Sequence, residues 1–324
     1  MSDQARMTVP AGAPTIGFDI GGTNLRAAVV TPAGEIIDSR AVLTPASDVE
    51  MIDAIVNLVE ALRADHPTVA AVGLAVAGFL DPECEVVRFA PHLPLLDFPL
   101  RAHLAERLDL PVRLEHDANS AAWGEYRFGA AQGAGTWVLF AVGTGIGAAL
   151  MIDGTIFRGA YGTAPEFGHL QVAAGGRACS CGKTGCLERY ASGTALVETA
   201  QELAAGGVGD GGKLRAALLT DPAAVGGPDI VAAARSGDPL GLATLDSFAS
   251  WLGLGLSMVA DVLDPELVVL AGGVSADSDL YLDRARGTMA DSIVGAGHRP
   301  LARLVTADLG PQAGMIGVAD LARY

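Results

Sequence analysis

Four side chains in one short stretch, His169, Cys179, Cys181 and Cys186, supply one imidazole and three thiols. That is a complete ligand set for a tetrahedral zinc ion with no open position, so the ion would be structural. Gly175, Gly176, Gly182 and Gly185 let the segment wrap back on itself around the metal. The chain has four cysteines, and the remaining one is Cys84. A trio of clustered thiols in a chain of this size, with no secretory signal, reads as a metal site and not as a disulfide framework.

A second group of residues could hold phosphate. The segment Thr15 to Pro32 is apolar and alternating on both sides of Gly21-Gly22-Thr23, which predicts a β-hairpin with a tight glycine turn. Such a turn leaves backbone N–H groups unobstructed and adds a hydroxyl, the donors that anionic oxygens require. Asp19 is a carboxylate in the middle of that apolar strand, a placement that is costly unless it faces a cation or a hydrogen-bond network. A magnesium ion on the phosphates, reached through water, would meet it. The same grammar returns at Thr136 to Arg158, with its turn at Gly143-Thr144-Gly145. Two such turns could grip one polyphosphate, and their repetition points to an internal duplication. Because strand follows strand at both turns, neither a Walker loop nor a dinucleotide fingerprint is present.

The elements that must position these groups follow α/β grammar with a mixed sheet. Helices are expected over Val49–Arg63, Leu100–Leu108 and Ala118–Phe128, the last starting directly after Asp117, and strands over Val69–Ala75, Val112–Glu115 and Leu267–Ala271. Glycine is dense between Ala204 and Gly227, which predicts a mobile surface connection. The apolar helix around Trp251 to Leu263 is expected in the core.

With 324 residues, half of them apolar, the chain can build two domains, each with its own core. A net charge of -16 disfavours a surface made to collect nucleic-acid backbones. The first fourteen residues lack an apolar core of signal-peptide length, and Gly253, Gly255 and Asp261 interrupt the longest apolar stretch. The expectation is a soluble cytoplasmic protein with no membrane partner and no nucleic-acid partner. Fourteen residues before the first strand are also too few for a helix-turn-helix module.

The quoted motifs carry a family resemblance along almost the whole chain: DIGGTNLR from Asp19, HDANSAAWGEYRFGA from His116, GTGIGAALMIDGTIFRGAYGTAPEFGHL from Gly143, CSCGKTGCLE from Cys179 and LAGGVS from Leu270. The chain resembles the ROK sugar kinases, with the actinobacterial glucokinases as the nearest branch. The resemblance implies the actin-like (hexokinase/Hsp70-type) ATPase fold, with two α/β domains of duplicated topology around a cleft. The division expected is 1–117, completed by a C-terminal helix at about 311–324, and 118–310. It also implies ATP-dependent phosphorylation of a hexose at its 6-hydroxyl, glucose first, with mannose, fructose, N-acetylmannosamine or N-acetylglucosamine as alternatives and a sugar-responsive regulator behind them.

In that reading Asp117 is the catalytic base, and His92, His116, Asp117, Glu166, His169 and Glu188 contact the sugar. Asp19, Gly21, Gly22, Thr23, Asn24, Gly143, Thr144, Gly145, Gly272 and Gly273 face ATP, and Asp19 faces magnesium through water. Zinc, held by His169, Cys179, Cys181 and Cys186, orients the histidine and performs no Lewis-acid step. Where the family usually has asparagines, this chain has His92 and His116, and the Ala77–Asp81 loop lacks the usual proline. Domain closure would exclude water from the transfer. The family also suggests a homodimer or homotetramer.

Overall fold

In the computed structural model, which describes residues 9–324, one strand order occurs twice. The chain first lays down β1 (Thr15–Ile20), β2 (Asn24–Val30), β3 (Ile36–Leu43) and β4 (Val72–Val76). A small three-stranded sheet follows, made of β5 (Phe79–Leu80), β6 (Val87–Phe89) and β7 (Leu96–Phe98), before β8 (Val112–His116). The first large sheet has the order β3-β2-β1-β4-β8. Its β1–β2 and β2–β3 pairs are antiparallel, and its β1–β4 and β4–β8 pairs are parallel. The second sheet contains β9 (Thr136–Val142), β10 (Ile146–Ile152), β11 (Thr155–Ile156), β12 (Leu267–Ala271) and β13 (Arg303–Thr306), in the order β11-β10-β9-β12-β13. Renumbered within each sheet, both orders read 3-2-1-4-5. The helices are α1 (Asp48–Asp65), α2 (Leu100–Arg107), α3 (Asp117–Phe128), α4 (Gly193–Ala205), α5 (Lys213–Thr220), α6 (Gly227–Arg235), α7 (Pro239–Leu263), α8 (Leu282–Ser292) and α9 (Ala313–Leu321).

Two compact units result. Unit 1 takes the chain up to Gly135, Ala149–Pro165 and Asp308–Tyr324, and unit 2 takes Thr136–Ala148 and Glu166–Ala307. The division expected after residue 117 falls inside unit 1, because α3 packs backbone to backbone on α9. A Cβ on Gly317 would lie 1.8 Å from Ser120 O, and one on Gly124 would lie 2.6 Å from Ala313 O. Those two glycines lock α3 to α9.

Alternation along β1 explains the layering of unit 1. Ile16, Phe18 and Ile20 face the core shared with Ile55, Leu62, Leu100 and Leu104. Gly17 presents no side chain to the opposite face, where α9 approaches so closely that a Cβ would lie 2.0 Å from Met315 O. Helix α1 starts at Ser47, whose hydroxyl accepts the Glu50 N–H, and buries Met51, Ile55, Val59 and Leu62 at helical spacing.

In unit 2, α7 contacts α4, α6 and α8. It is 25 residues long and apolar enough to cross a membrane by length and composition, and 56% of its apolar window is buried within the protein. It is therefore a core helix. Two expectations need correction. The strand expected from Val69 begins at Val72, since the Val69 and Ala70 amides bond to His66 O and Pro14 O in the connection before it. The glycine-dense connection between Ala204 and Gly227 contains helix α5, which buries Leu214 and Leu218. The reading of the first fourteen residues falls largely on residues 1–8, outside the described part.

Candidate functional site

Unit 1 gathers one set of the expected residues at the ends of β1, β8 and the His92 loop. The turn after β1 is closed by Gly21 N–H donating to Asn24 O at 3.1 Å, and Thr44 reinforces it by donating its hydroxyl to Gly21 O at 2.6 Å. The Thr44 amide donates to Thr23 O at 3.0 Å. Gly22 is exposed, and a Cβ there would lie 2.7 Å from the His92 Cβ, so the histidine loop rests directly on the turn. Asp19 is largely buried on β1, opposite Arg26 on β2. Burial raises its carboxyl above the ordinary value of 3.8, repulsion from Asp117 raises it further, and Arg26 pulls it down. A cation beside Asp19 would relieve that penalty, which is the role its position suggested.

Asp117 opens α3, and the capping position before it belongs to His116, which forms no side-chain cap. The Asp117 Oδ1 accepts the Ala118 amide at 2.7 Å and lies 3.3 Å from His116 Nε2. Nearly half of the Asp117 side chain remains exposed, at 45%. The carboxylate is thus fixed in direction and open to a substrate. Its support is a buried charge pair that sequence reading missed. Glu115, at 1% side-chain exposure, is clamped by the Arg158 guanidinium through Nε and NH2. Glu115 Oε1 also accepts the His116 amide at 3.2 Å and Asn119 Nδ2 at 3.0 Å. The signal was available in principle, since Glu115 interrupts an apolar strand just as Asp19 does. Its partner lies 43 residues away.

Unit 2 gathers the rest. The metal-binding candidates come together: the ligand atoms of His169, Cys179, Cys181 and Cys186 all lie within 4.8 Å of one another. Cys181 Sγ and Cys186 Sγ are 3.6 Å apart, and Cys179 Sγ is 3.6 Å from His169 Nδ1. Around a tetrahedral zinc the edges would be about 3.8 Å between sulfurs and about 3.6 Å between sulfur and nitrogen. The four groups fit such an ion. Burial pushes the Cys186 thiol up to about 12 and raises Cys179 as well, so a dication is what would make closely packed thiolates tolerable here. Gly185 has φ 73°, and a Cβ on it would lie 1.7 Å from Ala173 O, so no other residue can make this return of the chain.

With Nδ1 turned to the cysteines, His169 Nε2 lies 3.9 Å from Glu166 Oε2. Glu188 Oε2 accepts the Ile146 amide at 3.2 Å, and a Cβ on Gly145 would lie 2.5 Å from the same oxygen. The second glycine turn is therefore seated against the Glu166–Glu188 segment. It is also seated on the start of α4, where Gly193 N–H donates to Gly143 O at 2.7 Å and the Thr194 hydroxyl donates to Thr144 O at 2.8 Å.

From this turn opens a cavity of about 990 Å³ whose lining includes Gly143, Thr144, Thr194, Leu196, Gly273 and Val274. Its size and apolar walls suit a nucleoside, and its glycine floor and helix start suit the attached phosphates. Gly272 has φ 86°, and a Cβ on it would lie 2.3 Å from Val142 O, while a Cβ on Gly273 would meet nothing within 4 Å of protein. Gly272 is thus demanded by the turn, and Gly273 leaves room for a ligand. The α4 and α6 parts of this wall carry no motif and were not identified from sequence.

A strand order of 3-2-1-4-5 used twice, with a glycine turn after the first strand of each copy, defines an actin-like ATPase fold. Within that class the chain belongs to the ROK family, whose match spans residues 15–324. The glucokinase of Streptomyces coelicolor is 40% identical over 309 residues, 95% of this chain and 97% of that protein. A ROK family glucokinase from Streptomyces griseus, crystallised with glucose and AMPPNP, aligns with a TM-score of 0.82 at 40% identity over 96% of this chain and 99% of that one. The ROK hexokinase of Thermus thermophilus aligns with a TM-score of 0.77 at 31% identity, over 95% and 97% of the two chains.

Proposed function

We infer that the protein transfers the γ-phosphoryl group of ATP to the 6-hydroxyl of a hexose, and that the hexose is glucose. The placement of two carboxylates in unit 1 supports this best: Asp19 lies on β1 just before the glycine turn, and Asp117, 45% exposed, stands at the open start of α3. A phosphoryl transfer needs both. Asp19 would face, through water, the magnesium ion that accompanies ATP and neutralises its phosphates, and Asp117 orients the sugar hydroxyl. The hydroxyl oxygen bonds to the γ-phosphorus, the bond from that phosphorus to the bridging oxygen breaks, ADP leaves, and Asp117 accepts the hydroxyl proton. Gly21, Gly22, Thr23 and Asn24 serve the phosphates on unit 1. Gly143, Thr144, Gly145, Gly272 and Gly273 serve the nucleotide on unit 2.

We assign His92, His116, Glu166, His169 and Glu188 to the sugar hydroxyls. Either ring nitrogen of a histidine can donate or accept, so His92 and His116 can replace asparagine amides at these positions. Bound zinc supplies a fixed orientation for the His169 ring. The gathering of the His169, Cys179, Cys181 and Cys186 ligand atoms within 4.8 Å of one another supports that assignment. The protein works in the cytoplasm, where ATP is available and the thiols stay reduced. We assign a homodimer or homotetramer. Val262 and Val294, 81% and 72% exposed on neighbouring segments of unit 2, support a contact between copies.

The test is a coupled ADP-release assay with Mg-ATP and glucose, mannose, fructose, N-acetylglucosamine or N-acetylmannosamine. The highest kcat/KM is expected with glucose. Activity on a different sugar alone would make His92 and His116 the determinants of specificity, and no turnover on any sugar by zinc-loaded protein would overturn the reading.

A further inference from the structure

Unit 1 holds a second, smaller cavity of about 130 Å³ bordered by residues of β8, the edge strand of its sheet. Arg101, Arg113 and Arg158 line it, together with Glu83 and Cys84. Three guanidinium groups around so small a space is a marked concentration in a chain with 21 basic residues against 37 acidic ones.

Two of the three have partners. Arg101 donates to Val112 O at 3.1 Å and to Glu85 Oε1 at 2.6 Å, and Arg158 clamps Glu115. Arg113 differs, because its Nε is buried and has no hydrogen-bond partner. Among the described residues no carboxylate pairs with this guanidinium, so its charge stands unoffset beside the cavity, and an anion held there would balance it. The nearby carboxylates are already engaged: Asp81 accepts the Glu85 and Val86 amides at 2.7 and 2.9 Å, Glu85 takes Arg101, and Glu115 takes Arg158. Glu83 is exposed. Cys84 contributes no negative charge at neutral pH, since burial and the Glu115 carboxylate push its thiol up to about 11.

We propose that this cavity binds a small tetrahedral oxyanion, phosphate or sulfate, between Arg101, Arg113 and Arg158. A nucleotide or a whole sugar phosphate needs a larger space. The site is also joined to the reacting end of unit 1, because Arg158 lines the cavity and holds Glu115, which in turn accepts the His116 amide directly before Asp117. An anion here shares the charge that positions Asp117, and its binding changes turnover. That coupling rests on Asp117 being the base; the binding itself does not.

The experiment is a thermal-unfolding series with saturating glucose and Mg-AMPPNP, so that the glycine turns are filled, with potassium phosphate or sulfate replacing chloride at constant ionic strength. A saturable rise of about 2 °C is expected for both oxyanions. It is lost in Arg113→Gln and larger in Glu83→Gln. No rise beyond that in chloride overturns the proposal, as does a rise that Arg113→Gln retains, which would mean an adventitious ion elsewhere. Should Arg113→Gln fold poorly, Glu83→Gln decides alone: a stronger response supports the site and an unchanged one overturns it. Should AMPPNP fail to bind, the reading of the kinase site fails, while the comparison of wild type with Arg113→Gln in phosphate still reports on the cavity.

Discussion

The roles proposed for Asp117 and Asp19 differ, and their variants should separate them. Asp117→Asn keeps the start of α3 and the Ala118 contact, so unfolding temperature and calorimetric glucose affinity should stay near wild type. Turnover should fall by about 10²- to 10⁴-fold. Wild-type turnover in that variant would remove Asp117 from the mechanism. For Asp19, the folded carboxyl titrates above 3.8, so the folded chain holds this proton more tightly than the unfolded one. Stability is therefore lost as the pH rises from 3.8 through the elevated folded value, and stays lost above it. Ligand-free Asp19→Asn should melt above wild type at pH 7, with the gap narrowing as the pH is lowered, while its turnover with Mg-ATP drops. Equal melting at pH 7 would contradict this. Asp19 stood out in the sequence as a carboxylate in the middle of an apolar strand, and Asp117 through the family resemblance. Arg158 did not, since nothing local marks which distant carboxylate an arginine will meet.

At the scale of elements, the segment from Glu166 to Glu188 and the strand β8 are held by different forces. The first, with the zinc proposed above in place, would depend on its metal. Cys181→Ser, or removal of zinc with a chelator, should lower zinc stoichiometry and raise the KM for glucose more than it lowers the melting temperature of the whole chain. Full activity in zinc-free protein would argue against an orienting role. The second depends on a buried ion pair. Arg158→Met leaves the buried Glu115 without its charge partner, and should destabilise the protein by about 3 kcal/mol in denaturant unfolding. Adding Glu115→Gln should restore most of that loss, and a double variant no more stable than the single one would refute the pairing argument. Element boundaries followed the sequence where periodicity was strong, as in β1, β2 and β12. Helix α5 was hidden because its eight residues lie among glycines, so only the burial of Leu214 and Leu218 distinguishes it from a loop.

For the whole molecule, charge selects the donor. With 21 basic residues against 37 acidic ones, the sequence carries no run of basic residues of the kind that would draw in a long polyanion. Inorganic polyphosphate replacing ATP should yield no sugar phosphate in a dehydrogenase-coupled assay, and turnover comparable to that with ATP would show a track that sequence composition does not reveal. The duplicated order 3-2-1-4-5 was foreshadowed by the two glycine turns. The extent of unit 1 was not, because the side chains that draw α3 and α9 together are glycines, which carry no hydrophobic pattern.

The position of α9 has a consequence for how the chain is made. Gly17 on β1 and Gly73 on β4 leave their faces bare for α9, with Met315 O and Val318 O lying 2.0 and 2.1 Å from where a Cβ would stand. The Thr15 hydroxyl donates to Ala319 O at 2.7 Å across 304 residues. A ribosome releases β1 before unit 2, and the helix that covers it only after all of unit 2 has been synthesised. Throughout translation the earliest strands wait with one face uncovered, so this is the period in which the nascent chain is open to aggregation and to chaperone capture.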